Sequence, residues 1–173
     1  MLQLRPATLE DVPMLERWDR DPAVVAATGD DDIGDWPGEI ADADEWTEIL
    51  IAEVDHRPIG VIQIIDPARE HTHYWGEVDP DQRAIDIWIG EAADRNRGFG
   101  AEMMDLALER CFAPEEVTAV LIDPLVSNTA AHRFYRRLGF VPVGERTFGT
   151  DRCLVHRLDR AAWNSRRSRR VGR

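Results

Sequence analysis

One stretch of the chain, from Ala84 to Phe112, constrains the fold more than any other. It runs from the apolar segment AIDIWIG through the loop RNRGFG to residues with apolar positions at helical spacing. This order predicts a strand over Ala84–Gly90, a glycine-rich loop and a helix over Gly98–Phe112. The first N–H groups of a helix have no partner within it and favour an anion, and glycine permits close approach. We therefore expect the loop to hold a phosphate group.

Two common phosphate-binding patterns do not fit this loop. The GxxxxGK[ST] pattern requires a lysine, and the chain contains none. In the dinucleotide pattern GxGxxG, Met103 stands where the third glycine belongs. What remains is R-x-x-G-x-G, formed by Arg95, Gly98 and Gly100 at the start of the helix. This pattern alone does not distinguish a ligand-binding loop from an ordinary glycine-rich turn.

The rest of the chain predicts one mixed α/β domain over residues 1–160, followed by a flexible arginine-rich tail over residues 161–173. A length of 173 residues, of which 43% are hydrophobic, is enough for one domain with a core. The other predicted strands are Leu2–Arg5, Glu48–Val54, Ile59–Ile65, Val117–Ile122, Phe140–Glu145 and Arg152–Leu158. The other predicted helices start at a Thr8–Asp11 capping box, span Ala23–Ala27 and span Asn128–Leu138. An acidic loop over Asp30–Trp36 separates the second helix from the strands.

The charge is unevenly distributed. The net charge is −12, but Arg157–Arg173 contains seven arginines and one acidic residue. The remainder has 14 basic and 32 acidic residues and therefore carries −18. Such an acidic body disfavours nucleic acid and anionic membranes as partners and favours a cationic ligand, although an ordinary solvated surface is an equally open explanation. The sequence has no membrane-spanning apolar run or signal peptide, and two cysteines make no disulfide framework, so we expect a cytoplasmic protein.

A second motif, NTAAHRFYRRLGF, covers Asn128–Phe140 and repeats apolar and aromatic residues at fixed intervals. With the R-x-x-G-x-G loop before it, this motif resembles the signature of the GCN5-related N-acetyltransferases over essentially Leu2–Leu158. The resemblance implies a single-domain fold with a mixed, mostly antiparallel sheet, flanking helices and a splayed strand pair. It also implies transfer of acetyl from acetyl-coenzyme A to a primary amine.

The same resemblance implies a set of cofactor contacts. The loop amides would hold the pyrophosphate of coenzyme A, and the preceding strand would splay from its neighbour to bind the pantetheine arm. Asn128 would contact the cofactor, and Tyr135 would lie near the sulfur. The residues implied for the loop and the strand are Arg95, Asn96, Arg97, Gly98, Phe99, Gly100, Ile87, Trp88 and Ile89.

A narrower resemblance, to the aminoglycoside 6'-N-acetyltransferases, depends on residues in the middle of the chain. These are Gln63, Trp75, Asp79-Pro80, Ile85-Asp86, Asp123-Pro124 and Asn128. It implies that Asp86 and Asp123 bind ammonium groups of the antibiotic and that Asp86 is a candidate base. A siderophore amine or a protein N-terminus is an alternative acceptor. A non-catalytic coenzyme A binding module, or an arginine-tailed nucleic-acid adaptor, is a third hypothesis, and either a monomer or a homodimer is compatible with the sequence.

The chemistry of acetyl transfer can be assigned to residues directly. A free amine is protonated at pH 7, so a carboxylate or a water held by one must remove a proton. Asp86 lies within the apolar strand IDIWIG and is the candidate, unless it faces solvent. The Tyr135 hydroxyl could protonate the leaving thiolate, unless the ring is only a core aromatic. For Asp123 the alternative is a strand-ending turn with Pro124. We expect a backbone N–H near Trp88 to stabilise the oxyanion, and transfer to be direct in a ternary complex.

Further acidic and aromatic residues are candidates for acceptor binding. The loop DDDIGDW would cover the acceptor, or it is simply a solvated loop, and Trp36 and Trp75 would stack on a sugar or pack internally. Glu77 and Asp79 would add negative charge at the same mouth. The loop carboxylates concerned are Asp30, Asp31, Asp32 and Asp35. The histidines and cysteines have no metal-ligand spacing, so no metal is expected.

Overall fold

A seven-stranded sheet in the order β1-β2-β3-β4-β5-β7-β6 forms the centre of the protein. The computed structural model describes residues 1–29, 34–43 and 46–171. The strands are β1 (Leu2–Pro6), β2 (Thr47–Val54), β3 (Arg57–Ile65), β4 (Gln82–Ile89), β5 (Ala119–Ile122), β6 (Val141–Phe148) and β7 (Asp151–Asp159). The helices are α1 (Val12–Asp19), α2 (Pro22–Thr28), α3 (Trp36–Ala41), α4 (Phe99–Cys111), α5 (Thr129–Arg137) and α6 (Arg160–Val171).

The parallel strands β4 and β5 pair over only part of their length. Gln82–Ala84 pairs with Ala119–Leu121, whereas the other neighbouring strands are antiparallel. Beyond Ala84, β4 continues to Ile89 and stays paired with β3 on its other side. The two strands therefore diverge, which confirms the predicted splayed pair and the predicted mostly antiparallel sheet.

The two faces of β4 contribute to different clusters, because successive side chains of a strand point to opposite faces. Ile85 lies in the main core with Met103 and Met104 of α4. Trp88 packs on the other face against a cluster that includes Trp18 and Trp36. Helices α1 and α3 supply these two tryptophans, so they cover the face of the sheet opposite α4.

The predicted strands and most helices are confirmed, with shifts of a few residues at their ends. The short helix α3 was not predicted, because the acidic run before it indicated a loop as far as Trp36. Asp35 is the N-cap of α3 and accepts a hydrogen bond from the Gly38 N–H, at 3.3 Å. Pro37 lies in the first turn. An Asp followed by a Pro at this spacing is a helix-start signal, and it was available in the sequence.

The expectation of a flexible tail from residue 161 is wrong, because helix α6 packs onto the domain. Trp163 is buried and stacks on Phe112 with ring centroids 4.8 Å apart. Arg166 forms a 2.6 Å ion pair with Asp105 of α4. The run of arginines suggested a solvated terminus, but the single tryptophan within it buries enough apolar area to hold the helix in place.

The packing of α6 gives a prediction about stability. Replacing Trp163 by alanine should lower the free energy of unfolding by about 3–5 kcal/mol, the usual cost of truncating a buried large aromatic residue. Urea unfolding of the purified variant measures this difference. Arg169, which is exposed on the same helix, is the matched control, and Arg169→Ala should change stability by less than about 0.5 kcal/mol. A Trp163→Ala variant as stable as the wild type would contradict the observed docking of α6.

Candidate active site

A cleft of about 690 Å³ opens where β4 and β5 diverge. Residues 85–88 of β4 form one wall. Residues 122–125, which begin at the last residue of β5, form another. Helices α2 and α3, the loop 70–75, the β6–β7 turn and one face of α5 complete the cleft. A strand pair that separates thus gives a concave site in which backbone groups and side chains from several elements converge.

The cleft is acidic. Its described lining residues include six carboxylates and no arginine. The six are Glu39, Asp42, Glu70, Asp86, Asp123 and Asp151. Low-dielectric walls around charges of one sign concentrate their field, so this cleft attracts a cationic ligand and repels an anionic one.

Asp86 and Tyr135, the two predicted catalytic residues, both line the cleft. Asp86 is half-buried on β4, opposite Gln63 of β3, so it does not project from an exposed face. Tyr135 of α5 is buried, and burial raises the pKa of its hydroxyl, with smaller contributions from the charges of Asp86 and Asp123. Both carboxylates line the same cleft as Tyr135. The hydroxyl keeps its proton at neutral pH and can donate it.

Asp123 is held by a residue that the sequence analysis missed. The Tyr74 hydroxyl donates a 2.9 Å hydrogen bond to Asp123 Oδ2. The ring of Tyr74 stacks on Phe148, with centroids 4.4 Å apart and planes 12° from parallel. Burial and the Asp123 charge raise the pKa of Tyr74, so it remains a donor. The contact joins residues 49 positions apart in sequence, and no local pattern signals it.

The loop that carries Tyr74 is ordered by another missed residue, Glu70. Its carboxylate accepts hydrogen bonds from the Thr72 N–H at 2.7 Å, the Thr72 hydroxyl at 2.6 Å and the Tyr74 N–H at 2.8 Å. Glu70 is buried, so these bonds replace lost hydration. The acidic residue thus shapes the cleft wall as well as adding charge to the cleft.

Glu39 extends the acidic lining to the α3 side of the cleft. Gln63 Nε2 donates to Glu39 Oε2 at 3.4 Å, and Gln63 is itself opposite Asp86 in the sheet. Burial raises the pKa of Glu39, and the charges of Asp19 and Asp35 raise it further. Glu39 was missed because α3 was not predicted. Asp151, at the start of β7, was missed because it lies next to a turn, where acids are common.

The predicted sugar-stacking role of Trp36 and Trp75 is wrong. Trp36 is 1% exposed, and its indole N–H donates to Asp19 Oδ2 at 2.5 Å. Trp75 is 2% exposed and packs edge-on against Phe148, with centroids 5.3 Å apart. Neither ring has a face available to a ligand, so both are core residues that support the cleft walls.

The predicted acids are divided between the cleft and other places. Glu77 and Asp79 line a separate concavity beside β6, so the expectation that they share the acceptor mouth is wrong. Asp35 caps α3 instead of lining the cleft. Asp30, Asp31 and Asp32 lie outside the described residues.

The glycine-rich loop precedes α4 as predicted. Gly98 is the N-cap residue with φ +93°, a conformation that favours glycine, and a Cβ there would meet no described atom within 4 Å. The buried Asp94 carboxylate anchors the loop by accepting hydrogen bonds from Arg57 at 2.6 and 3.0 Å and from Arg97 at 2.9 Å. The start of α4 thus presents backbone N–H groups beside an open surface.

Arg95 and Asn128 have structural roles that the sequence analysis did not foresee. The Arg95 guanidinium donates to the carbonyls of Ile89 and Gly90, at 3.1 and 2.7 Å, and its backbone N–H donates to another carbonyl in the same loop. Asn128 Oδ1 caps α5, and its Nδ2 donates to the Ala27 carbonyl at 3.3 Å. Arg95 therefore fixes the end of β4, and Asn128 ties α2 to α5. A cofactor contact of either residue stays a prediction.

The described part of the chain does not support a metal site, a membrane-spanning helix or a reactive cysteine. No group of three or more histidine, cysteine or acidic residues there could hold a metal ion, and no helix there could cross a membrane. Burial raises the pKa of the Cys111 thiol to about 12, so it is not a reactive thiolate.

Two buried histidines lie behind Tyr135. His132 and His156 stack with centroids 5.2 Å apart, and Tyr135 lies 6.1 Å from His156. The Nδ1–H of His156 donates to the Leu154 carbonyl at 2.9 Å, because a carbonyl oxygen can only accept. His156 is fully buried, and burial lowers its pKa. The ring is therefore neutral in the folded protein.

Comparison with known proteins connects this geometry to a family. The acetyltransferase (GNAT) domain family matches residues 7–148, and the chain belongs to this family. An aminoglycoside N(6')-acetyltransferase type 1 from Klebsiella pneumoniae is 28% identical over 145 residues, which cover 79% of this chain and 72% of that protein. A kanamycin resistance protein from Rhizobium radiobacter is 35% identical over 72 residues, 41% of this chain and 67% of that protein.

Solved structures of an aminoglycoside acetyltransferase are similar to this chain in both fold and sequence. The aminoglycoside acetyltransferase AAC(6')-Ib in complex with coenzyme A and kanamycin has a TM-score of 0.83 and 27% identity, and the match covers 96% of this chain and 99% of that one. The complex of AAC(6')-Ib with coenzyme A alone matches equally well. The expected enzyme class and the resemblance to aminoglycoside 6'-N-acetyltransferases are confirmed.

The buried neutral histidine gives a prediction about pH. The unfolded chain binds a proton at His156 near pH 6.5, whereas the folded chain resists it. The free energy of unfolding should therefore fall as the pH drops below about 6.5, by up to about 1.4 kcal/mol per pH unit for this group. Urea unfolding at pH 7.5 and 5.5 measures the slope. The slope should be smaller in His156→Gln, and equal slopes would show that His156 does not titrate differently in the two states.

Proposed function

We propose that the protein transfers an acetyl group from acetyl-coenzyme A to a primary amine of a cationic small molecule, and that the 6'-amine of an aminoglycoside is the acceptor. The acidic cleft at the diverging strands is the observation that carries the proposal. The family and the named relatives support it. Two buried free cysteines are compatible with a cytoplasmic location.

The acetyl donor would lie in the opening between β4 and β5. Beyond Ala84, the β5-facing backbone groups of β4 have no strand partner among the described residues and can pair with the amides of a pantetheine arm. The start of α4 would receive the pyrophosphate, because its first N–H groups and the helix dipole favour an anion. Gly98 suits this role because its side of the loop is open.

The acceptor would occupy the acidic part of the cleft. An aminoglycoside carries several ammonium groups on linked rings, and the carboxylates of Asp86, Asp123, Asp151 and Glu39 come from four different elements around one cavity. Separated carboxylates can pair with separated ammonium groups. A compound with a single charge would satisfy fewer of them, which favours a polycation over a protein N-terminus or a siderophore amine.

The chemistry follows from the positions of Asp86 and Tyr135. Asp86 accepts a proton from the ammonium group, directly or through water, and the neutral nitrogen attacks the thioester carbonyl. A backbone N–H of β4 stabilises the oxyanion. The carbon–sulfur bond then breaks, and Tyr135 donates its proton to the departing sulfur. The nitrogen, which still carries an extra proton, passes it through water to the Tyr135 oxygen, and Asp86 releases its proton to solvent. The products are an N-acetylated amine and coenzyme A, and no acetyl-enzyme forms.

The role of Tyr135 can be tested by removing one atom. Tyr135→Phe should lower kcat by about 10- to 100-fold or more, because loss of a general acid usually costs about 10²- to 10⁴-fold. Calorimetric binding of acetyl-coenzyme A and of the acceptor should change little, since the ring is retained. A thiol-release assay measures kcat. Normal turnover in Tyr135→Phe would show that the hydroxyl has no part in the reaction.

The acceptor is tested by a panel of amines. Thiol release should be fast with kanamycin and tobramycin, absent with an analogue that has a 6'-hydroxyl in place of the amine, and slow with a simple diamine or a peptide.

The roles of the two cleft carboxylates are tested in the same assay. Asp86→Asn should lower kcat more than Asp123→Asn, because only Asp86 removes the proton. Added salt should raise KM, since it screens the carboxylates. Faster turnover of the peptide or of a siderophore amine would replace the aminoglycoside as acceptor, and no turnover with any amine would leave a coenzyme A binding module.

A further inference from the structure

The indole N–H of Trp88 is a buried hydrogen-bond donor without a partner. Among the described residues, no acceptor lies within hydrogen-bond distance of Trp88 Nε1. A buried polar group of this kind normally costs stability, and nearly all such groups in native proteins are paired. Trp88 also lines the cleft. The unpaired donor thus belongs to a side chain that lines the cleft, where a ligand can supply an acceptor.

The indole is held in one orientation. The ring of Trp88 lies 6.0 Å from that of Trp36, with planes tilted by 49°. Trp36 is in turn fixed by its hydrogen bond to Asp19 and by complete burial. The donor is therefore preorganised, and a ligand that accepts from it loses little conformational freedom of the side chain.

The strand geometry places this donor beside the reacting amine. Trp88 is two residues from Asp86 on β4, so the two side chains share a face with Cα atoms about 7 Å apart. Ile87, between them, points to the opposite face and packs against the main core. Along the strand, Trp88 lies towards the glycine-rich loop. The Trp88 side chain therefore lies beside Asp86, displaced along the strand from the nitrogen that Asp86 would deprotonate.

The nature of the missing acceptor follows from the rest of the cleft. The carboxylates around the cavity recognise ammonium groups, but they accept and do not donate hydrogen bonds at neutral pH. A sugar hydroxyl oxygen needs a donor, and the indole N–H supplies one. We propose that Trp88 is a specificity-determining residue whose indole N–H donates a hydrogen bond to a hydroxyl oxygen on the sugar ring that carries the reacting amine. The inference rests on the proposed function for the identity of the acceptor.

The first test compares two acceptors in two enzymes. Tobramycin and its 4'-deoxy analogue both have the 6'-amine and differ by one hydroxyl. The wild type should prefer tobramycin by about 2- to 13-fold in kcat/KM, the usual effect of one hydrogen bond to a neutral partner. In Trp88→Phe, which keeps an aromatic ring but removes the N–H, this ratio should fall close to 1. An unchanged ratio in Trp88→Phe would overturn the assignment.

Trp36→Phe is the matched control. It removes an indole N–H from the neighbouring ring, but that N–H already has Asp19 as its partner. The variant should be less stable than the wild type and should keep the preference for tobramycin. Loss of the preference in both variants would mean that ring packing, not the Trp88 hydrogen bond, sets it, and would also overturn the proposal.

A second measurement does not depend on turnover. Protein carrying ¹⁵N in its tryptophan indoles gives separate N–H signals, and Trp88→Phe assigns the one from Trp88. With coenzyme A present, tobramycin should shift the Trp88 signal downfield and leave the Trp36 signal in place. If the enzyme acetylates no aminoglycoside, the proposed function fails, yet this shift would still support a hydroxyl-binding role of Trp88. A Trp88 signal that does not move when tobramycin is bound would overturn the inference.

Discussion

The separation of β4 from β5 after three paired residues is the constraint from which the site is built. Had the two parallel strands stayed paired to Ile89, the backbone groups of β4 would be satisfied within the sheet and no opening would exist. Pairing with β3 through Gly60 and Ile89 keeps β4 extended while its other edge is open. Unpaired backbone groups in a buried place are costly, so a pantetheine arm bound here, as proposed, would stabilise the open edge of β4.

The acidic cleft requires its own supports, because carboxylates placed near one another repel. Tyr74 donates to Asp123, Gln63 donates to Glu39, and Glu70 is satisfied by the loop that it orders. These neutral donors position the oxygens without cancelling their charge. The compensating cations lie elsewhere: arginines of α6 pair with acids on α4, away from the cleft. The described lining of the cleft contains no arginine, and the proposed cationic acceptor would add positive charge there.

The sequence predicted those parts of the molecule that local patterns determine. Alternating and helical apolar patterns located the strands and α4. R-x-x-G-x-G with the Asn128–Phe140 motif indicated the splayed strands and Tyr135, and the carboxylate inside the apolar segment IDIWIG indicated Asp86. The partnership of Tyr74 with Asp123 depends on how distant segments meet, and no local pattern contains that information. The burial of Trp75 and the separation of Glu77 from the cleft depend in the same way on the path of the loop after β3. The burial of Trp36 depends on the packing of α3 against α1 and the sheet. The burial of Trp163 was not predicted, because the arginines around it are typical of a solvated terminus.

The central claim is that β4 presents a base and an open backbone edge to two ligands at one place. A crystal structure of the protein with coenzyme A and kanamycin tests this most directly. The account predicts the sulfur in the opening between β4 and β5 near the Tyr135 hydroxyl, and the 6'-nitrogen within hydrogen-bond distance of Asp86 or of a water bound to it. Kanamycin bound outside the acidic cleft, or coenzyme A bound away from the diverging strands, would contradict it.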